Sequence, residues 1–418
     1  MTKIHSFTQN AKPARFEDGT LYFEMFSSTE NRATPIGLPL SAELCKFRIT
    51  PTVPALDFAA FALSVVATDK AVSRADTADG WTRKINLTIS LHDAAAWTGQ
   101  KVNIEKMLRH LTGDFWALTF MPVNSSLINQ RHKPILREND CVCLLSGGVD
   151  SLVGAIDLVA EGFNPLFVSQ IMRGDAEHQK RFATALGTDN HFQWSVGKLA
   201  REEGSTRARS IMFFAFALLS VCALKENNER IKIVVPENGL ISLNTPLDSN
   251  RIGSLSTKTT HPIYMAMLQE IWDALKINAE LIFPYRHKTK GEVLKECKNP
   301  NLLKQLVFNS VSCGKFQRHN LQQCGVCVPC LVRRAAFLEA GLRDETVKGY
   351  VYENLKYSDS HDLAAIAMSI MQVESQGVER FVKSSLSFSN GENRKELLRV
   401  VSRGVEELKN LLRSYEIL

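Results

Sequence analysis

The stretch Leu145, Ser146, Gly147, Gly148, Val149, Asp150, Ser151 sets two glycines, two hydroxyls and a carboxylate between a short apolar run and an amphipathic one. A strand that ends there and runs into a helix aims several backbone N–H groups and the positive end of a helix at one point. That geometry suits phosphate oxygens. Gly147 and Gly148 let the backbone approach a ligand closely, Ser146 and Ser151 supply hydroxyl donors, and Asp150 can hold Mg²⁺ or cap the helix. The plainer alternative is a tight turn with a polar cap. The whole hexapeptide from Ser146 to Ser151, in a strand-to-helix setting, favours phosphate binding. Neither G-x-x-x-x-G-K-[ST] nor a G-x-G-x-x-G after a strand occurs, so kinase-like and dinucleotide-type readings lose ground.

A second cluster, Cys313, Cys324, Cys327 and Cys330, follows C-x₁₀-C-x₂-C-x₂-C spacing. Two-residue spacings bring neighbouring thiolates onto one ion, and four thiolates close a tetrahedral Zn²⁺ shell with no open position, as in structural sites. An iron–sulfur cluster is the rival, although Pro329 precedes Cys330 where a ferredoxin run has its proline after the last cysteine. Nine cysteines are an odd number, which fits metal binding better than a disulfide framework. The other five are expected as small buried apolar residues.

Both motifs need elements to hold them. From about residue 140, short apolar runs alternate with helical patterns, from "CVCLLS" to "IKIVVPENG". That alternation predicts an α/β domain with a parallel sheet and helices on both faces. Ligands bind such sheets beyond the carboxyl ends of the strands, which is where residues 145 to 151 fall. Residues 1–137 read as a separate α+β domain, with strands in "TLYFEMF", "LCKFRIT", "KINLTISL" and "FWALTFMPV" and helices in "PALDFAAFALSVVATDKAVSR" and "NIEKMLRHLTG". The α/β domain spans 138–340, and 341–418 reads as a helical extension that packs on the core or on a partner.

The composition, 418 residues with 44% hydrophobic content, supports two or three well-buried domains. The net charge of +6 favours anionic ligands but is too diffuse to argue for nucleic acid. The longest apolar stretch, residues 211–224, falls short of the roughly 20 residues of a membrane helix and is expected as a buried helix. The first residues lack the apolar core of a signal peptide, so a cytoplasmic location with reduced thiols is expected.

The glycine stretch resembles the PP-loop of the N-type ATP pyrophosphatases, an adenine nucleotide alpha hydrolase-like fold. Members bind the β and γ phosphates of ATP there and split ATP between α and β, leaving an adenylated substrate. Together with Ser312, Cys313, Cys324, Gly325, Cys327, Cys330 and Arg333, it resembles the 7-cyano-7-deazaguanine synthase (QueC) family over roughly residues 140–340. The resemblance implies ATP with Mg²⁺ at residues 145–151, structural Zn²⁺ on the four cysteines, and adenylation of the carboxylate of 7-carboxy-7-deazaguanine. An amine then attacks the activated acyl group, because a carboxylate is a poor electrophile until its oxygen becomes part of a good leaving group. "ARSIMFFAFALLS" resembles the family's Ala-Arg-Asn-x-x-Phe helix, with Arg209 as its arginine. Gln170 falls where the family has a glutamine ending the second strand, and Lys290 resembles the lysine of a Ser-Lys-x-Glu-Ile stretch, with Glu292 as the acid. Asp150, Arg209 and Lys290 are therefore the expected catalytic residues.

The chain departs from that family in two places. Residues 236–262 replace a family stretch, Asp-x-Ser-Gly-Tyr-Pro-Asp-Cys-Arg, and the N-terminal domain is additional. Both departures resemble the QueC-like proteins of bacterial antiphage systems, the QatC-type protein of the Qat system and its counterpart in type IV CBASS operons. "DFAAFALSVVATDKAVSR", "GWTRKINLTISL" and "LTGDFWALTF" carry that resemblance. It implies transfer to the N-terminal amine of a partner protein encoded in the same operon, with the added domain docking that partner or only supporting the core. Alternatives are a plain 7-cyano-7-deazaguanine synthase using ammonia, a tRNA-modifying PP-loop enzyme, and a non-catalytic nucleotide-binding partner protein. No membrane association and no nucleic acid are expected, and homo-oligomerisation is left open.

Other residues have two readings each. Glu237 and Asn238 close a strand at the ligand-binding rim, where they either read a purine-like edge or form a polar turn. Arg251, Lys258 and His261 either contact phosphate or carboxylate oxygens or are solvated loop charges. Asp175, Glu177 and His178 fit a surface charge cluster better than a role with Mg²⁺ or a proton. Arg207 opens an apolar helix, an odd place for a guanidinium without an anion or acid nearby.

Overall fold

The computed structural model describes residues 1–123, 133–171, 174–187, 190–200, 202–204, 207–225, 229–248, 258–383, 385–386 and 391–418. By contacts the chain divides into two units, residues 1–142 with 192–233 and 263–281, and residues 143–191 with 234–262 and 282–418.

One sheet consists of β1 (Thr2–Phe7), β2 (Thr20–Met25), β3 (Thr34–Ile36), β4 (Lys84–Leu91) and β5 (Phe115–Pro122), in the order β3-β2-β1-β4-β5. Every pair is parallel: Ile4 faces Leu21 on one side and Leu87 on the other, and Leu87 faces Leu118. The expected α+β domain is therefore α/β. Strand composition reveals burial but not the direction of the partner, and loops instead of helices join β1, β2 and β3, which hides the usual strand-helix rhythm. The "LCKFRIT" strand is also corrected. Leu44–Phe47 end helix α1 (Leu38–Phe47), which has Pro39 in its first turn and left-handed residues, Gly37 and Arg48, at its two ends.

Helix α2 (Val53–Ala71) is buried continuously from Ala55 to Asp69, as expected of a helix apolar all round. It packs on β2, β3 and β4 and on α7 (Arg209–Val221). Helices α3 (Ala94–Gly99) and α4 (Lys101–Thr112) precede β5. The acids of α2 have partners. Arg83 reaches Asp69 and Asp114 at 2.5 and 2.6 Å, and Arg74 grips both oxygens of Asp114 at 2.8 and 2.9 Å. Asp69 also accepts the backbone N–H groups of Arg207 and Ala208 at 2.8 and 2.9 Å, capping the approach to α7. This explains Arg207: its guanidinium lies over the Trp81 ring beside these acids, with its pKa lowered to about 10 by burial and by Arg74. Buried charges persist when paired and hydrogen-bonded in this way.

The second sheet follows a strand-helix alternation: β6 (Cys141–Leu144), α5 (Val149–Ala160), β7 (Pro165–Gln170), α6 (Ala176–Ala185), β8 (His191–Trp194), α7, β9 (Ile231–Val234), α8 (Gly239–Ser242), α9 (Pro262–Ala274) and β10 (Ala279–Ile282). Its order is β10-β9-β6-β7-β8. Strand order thus reverses between β6 and β9, the switch point at which open α/β sheets bind ligands. The apolar stretch from residue 211 forms buried α7, and among the described residues no helix is long and apolar enough to cross a membrane.

Beyond β10 the described chain is helical: α10 (Lys290–Lys295), α11 (Pro300–Leu306), α12 (Val328–Glu339), α13 (His361–Gln376), α14 (Val378–Phe381) and α15 (Gly391–Ser414). Leu331 and Val332 of α12, Leu363 and Ile366 of α13, and Leu397, Val401 and Leu408 of α15 share one apolar core with the four clustered cysteines. The C-terminal extension therefore packs on the cysteine-bearing core. Of the other five cysteines, Cys141, Cys143 and Cys297 are buried as expected, whereas Cys222 is half-buried and Cys45 is exposed on α1.

Candidate functional site

β6 ends at Leu144, and the Leu145 N–H still pairs with the Val168 carbonyl of β7 at 2.8 Å. The chain then turns through Gly147 at φ +93°, a left-handed conformation that favours glycine. Gly148 is the N-cap of α5 and provides no side-chain cap, so the first amides of that helix retain capacity for an anion. The loop braces itself: Ser146 Oγ donates to Ser151 Oγ at 3.1 Å, Ser151 Oγ to the Gly148 carbonyl at 3.0 Å, and Gly148 N–H to Ser146 Oγ at 3.4 Å. Gln179 is buried behind it and donates to the carbonyls of Ser146 and Gln170, both at 3.2 Å.

Asp150, in the first turn of α5, is 4% exposed. Its Oδ1 meets Lys290 Nζ at 2.7 Å, and its Oδ2 accepts Asn238 Nδ2 at 2.7 Å. Burial alone would push this carboxyl up. The Lys290 ammonium, with hydrogen bonds to Glu237, Lys290 and Asn238, outweighs burial and holds its pKa below the ordinary carboxylate value. Lys290 opens α10, whose start is fixed by a reciprocal cap. Glu292 N–H donates to Thr289 Oγ1 at 3.1 Å, and Thr289 N–H donates to Glu292 at 2.8 Å. Asn238 spends its carbonyl oxygen on the Ile241 N–H at 3.1 Å, capping α8. Its amide therefore positions Asp150 and α8, which leaves it little capacity to read a base.

A cavity of about 260 Å³ opens onto these groups, lined among others by Gly148, Asp150, Ser151, Glu237 and Lys290. Val311, Ser312 and Pro329, from the cysteine-bearing segment, complete its wall. A neighbouring cavity of about 290 Å³ lies at the carboxyl end of β7, lined by Glu177, His178, Phe308, Phe316, Gln323 and others. Val311 lines both cavities. Burial, followed by Arg181 and Lys348, lowers the His178 pKa.

The four cysteines are buried with all sulfurs within 4.8 Å of one another. The pairs Cys324–Cys330 and Cys313–Cys327 stand 3.9 Å apart. Four thiolates around one ion at about 2.3 Å form a tetrahedron with edges of about 3.8 Å, whereas a disulfide requires about 2.05 Å. An iron–sulfur cube places its thiolates on four separate irons, farther apart. The spacing fits a single tetrahedral metal such as zinc. Backbone N–H groups of Lys315 and Cys324 point at Cys313 Sγ, and that of Cys327 at Cys324 Sγ, each at 3.3 Å, an outer shell that favours thiolates. Gly325, at φ +84°, has no room for a side chain: a Cβ would lie 2.7 Å from the Tyr352 carbonyl oxygen.

The cysteine segment and the glycine loop are joined. Val311 N–H donates to the Gly147 carbonyl at 3.0 Å. Its two neighbours are fixed by Gln323, which accepts Ser312 N–H at 3.0 Å and donates to the Ser310 carbonyl at 3.1 Å. Fully buried Arg333 donates to Ser310 Oγ at 2.6 Å and to the Val307 carbonyl at 3.2 Å. Gln179 and Gln323 carry no sequence signal of their own, because neither type nor spacing marks a brace made through tertiary contact. The motif arginine, Arg333, did carry one.

The structure therefore brings together residues 145–151, Glu237, Asn238 and Lys290, with Gln170 buried at the end of β7. Arg209 is exposed at the start of α7, in the other unit. His261 is buried and Lys258 half-exposed, and Arg251 lies outside the described residues.

No family model matches the chain, and no solved structure matches it. Among curated proteins, a 7-cyano-7-deazaguanine synthase of Rhizorhabdus wittichii is 25% identical over 236 residues, covering 49% of this chain and 94% of that protein. The similarity supports a distant kinship with QueC-like proteins and, through it, an enzyme.

Proposed function

We propose that the protein is an ATP-dependent ligase that adenylates the carboxylate of a 7-deazaguanine such as 7-carboxy-7-deazaguanine and passes the acyl group to an amine. The carrying observation is the glycine loop at the β6/β9 switch point, with the uncapped start of α5 and the Asp150–Lys290 pair facing one cavity. Loop amides and Lys290 receive the departing pyrophosphate. Asp150 would hold Mg²⁺ once nucleotide competes for Lys290, and the ion would supply neutralisation of phosphate charge. The planar base occupies the neighbouring cavity beside Phe308 and Phe316, with Gln170 and Glu237 as further candidate contacts.

The carboxylate oxygen attacks the α-phosphorus and pyrophosphate leaves. The amine nitrogen then forms the C–N bond, loses a proton, and AMP leaves. Positioning and charge stabilisation do this work, with no protein nucleophile. The N-terminal α/β domain, additional to the stretch that carries the PP-loop and cysteine motifs, supports the N-terminus of a partner protein in an antiphage system as the amine. The near-complete coverage of the Rhizorhabdus protein favours the second reading, in which ammonia is the amine and gives the amide, and a second ATP then adenylates the amide oxygen, which leaves with AMP as the nitrogen loses its two protons to give the nitrile.

Exchange of labelled pyrophosphate into ATP, dependent on 7-carboxy-7-deazaguanine, is the expected result. Absence of exchange with this carboxylate overturns the reading. Intact mass spectrometry of co-expressed operon proteins separates the two acceptors: an added deazaguanine mass on a partner, or free nitrile base formed with ammonia.

A further inference from the structure

We propose that Glu407, on α15, is a positioning residue for Lys290, a role that rests on Lys290 being the cation of the activation site. Glu407 is 5% exposed. Its carboxylate accepts a hydrogen bond from Thr289 Oγ1 and another from the Gly291 N–H, the residues on either side of Lys290. Gly291 is what permits this approach: a Cβ there would lie 2.6 Å from Glu407 Oε1 and 2.7 Å from Glu339 Cγ.

The same helix holds the rest of the Asp150 setting. Arg403 pairs with Glu292 at 2.5 Å and donates to the His287 carbonyl at 2.9 Å. Gly404 lies so close to Leu240 that a Cβ would meet it at 2.7 Å, and a Cβ on Gly239 would meet Val400 at 2.8 Å. One face of α15 thus fixes α10, which carries Lys290, and α8, which Asn238 caps. Apolar packing would do for adhesion, and a buried carboxyl is costly unless its oxygens are used. Here two donors converge, and a carboxylate meets both with two acceptor oxygens.

Glu407 faces Glu339 of α12 and Glu292 of α10, with Arg403 the cation of its own helix. Burial, helped by Glu339 and Glu292, raises its carboxyl to about 7 against the downward pull of the Thr289 and Gly291 bonds. On protonation it loses one acceptor, so turnover falls as pH drops below that value.

The test compares the full chain with Glu407→Gln, which keeps the shape and one acceptor. Acetic anhydride labelling of Lys290, read by peptide mass spectrometry, needs no substrate and so stands even if the deazaguanine reading fails. Faster Lys290 labelling is expected in the variant. In the exchange assay its turnover falls about 10- to 100-fold, ATP affinity changes less than about twofold, and the inflection near pH 7 disappears. A folded Glu407→Gln with unchanged labelling and unchanged turnover overturns the proposal, as does a loss confined to melting temperature. Should Glu407→Gln not fold, Thr289→Ala removes the same contact from α10 and is read by the same two measurements.

Discussion

Asp150 and Lys290 are buried against each other, and neither charge is tolerable alone. Lys290→Met should destabilise the fold by about 3–5 kcal/mol, because a buried carboxylate is left without its cation; urea unfolding measures it. Asp150→Asn combined with Lys290→Met should recover much of that loss. Since Asp150 titrates below its unfolded value, its contribution is present above about pH 4 and is lost as pH falls through the lower folded pKa. Stability without that acid-side step would show that the pair does not form. At this scale the glycines, Asp150 and the four cysteines were legible from residue type and spacing, and Lys290 only through its resemblance to a family stretch. It was silent on Gln179, Gln323 and Glu407, which are ordinary side chains made important by what folds against them. Asn238 was readable as a site residue, but its hydrogen bonds give it a task of holding Asp150.

Between elements, the cysteine segment is tied to the loop through residues 310–312, although no cysteine lines the cavity of the glycine loop. Removing the metal with a chelator, or replacing Cys327 with serine, should weaken ATP binding by about 10- to 100-fold. The expected metal content is one zinc per chain. Calorimetric titration of ATP after zinc release checks the coupling, and unchanged affinity would break it. Helices α13 and α15 were legible from apolar residues recurring at three and four. The end of α1 was not, because Leu44 to Phe47 carry a strand-like composition and only tertiary burial of Leu40, Leu44 and Phe47 settles the helix.

At the scale of the whole molecule, both sheets have their first strand in the centre, the next two on one side and the last two on the other. They differ at the place that matters. After β6 the chain makes a glycine turn into a twelve-residue helix; after β1 it makes only a three-residue helical turn at Gln9–Ala11. One nucleotide per chain is therefore expected by equilibrium binding, and a second site of comparable affinity would contradict it. The α/β character of the second sheet was legible because helices separate its strands. In the first sheet, β1 to β3 are joined by loops, and nothing local records that neighbours run in the same direction.

The clamp of α15 on α10 also has a history during synthesis. Thr289 and Glu407 lie 118 residues apart, so at roughly 5–20 residues per second the ribosome delivers the acid roughly 6–24 s after the lysine's segment. Over that interval the glycine loop can already exist while its cation is still unanchored. A nascent chain stalled before α15 should bind triphosphate without committing it to chemistry.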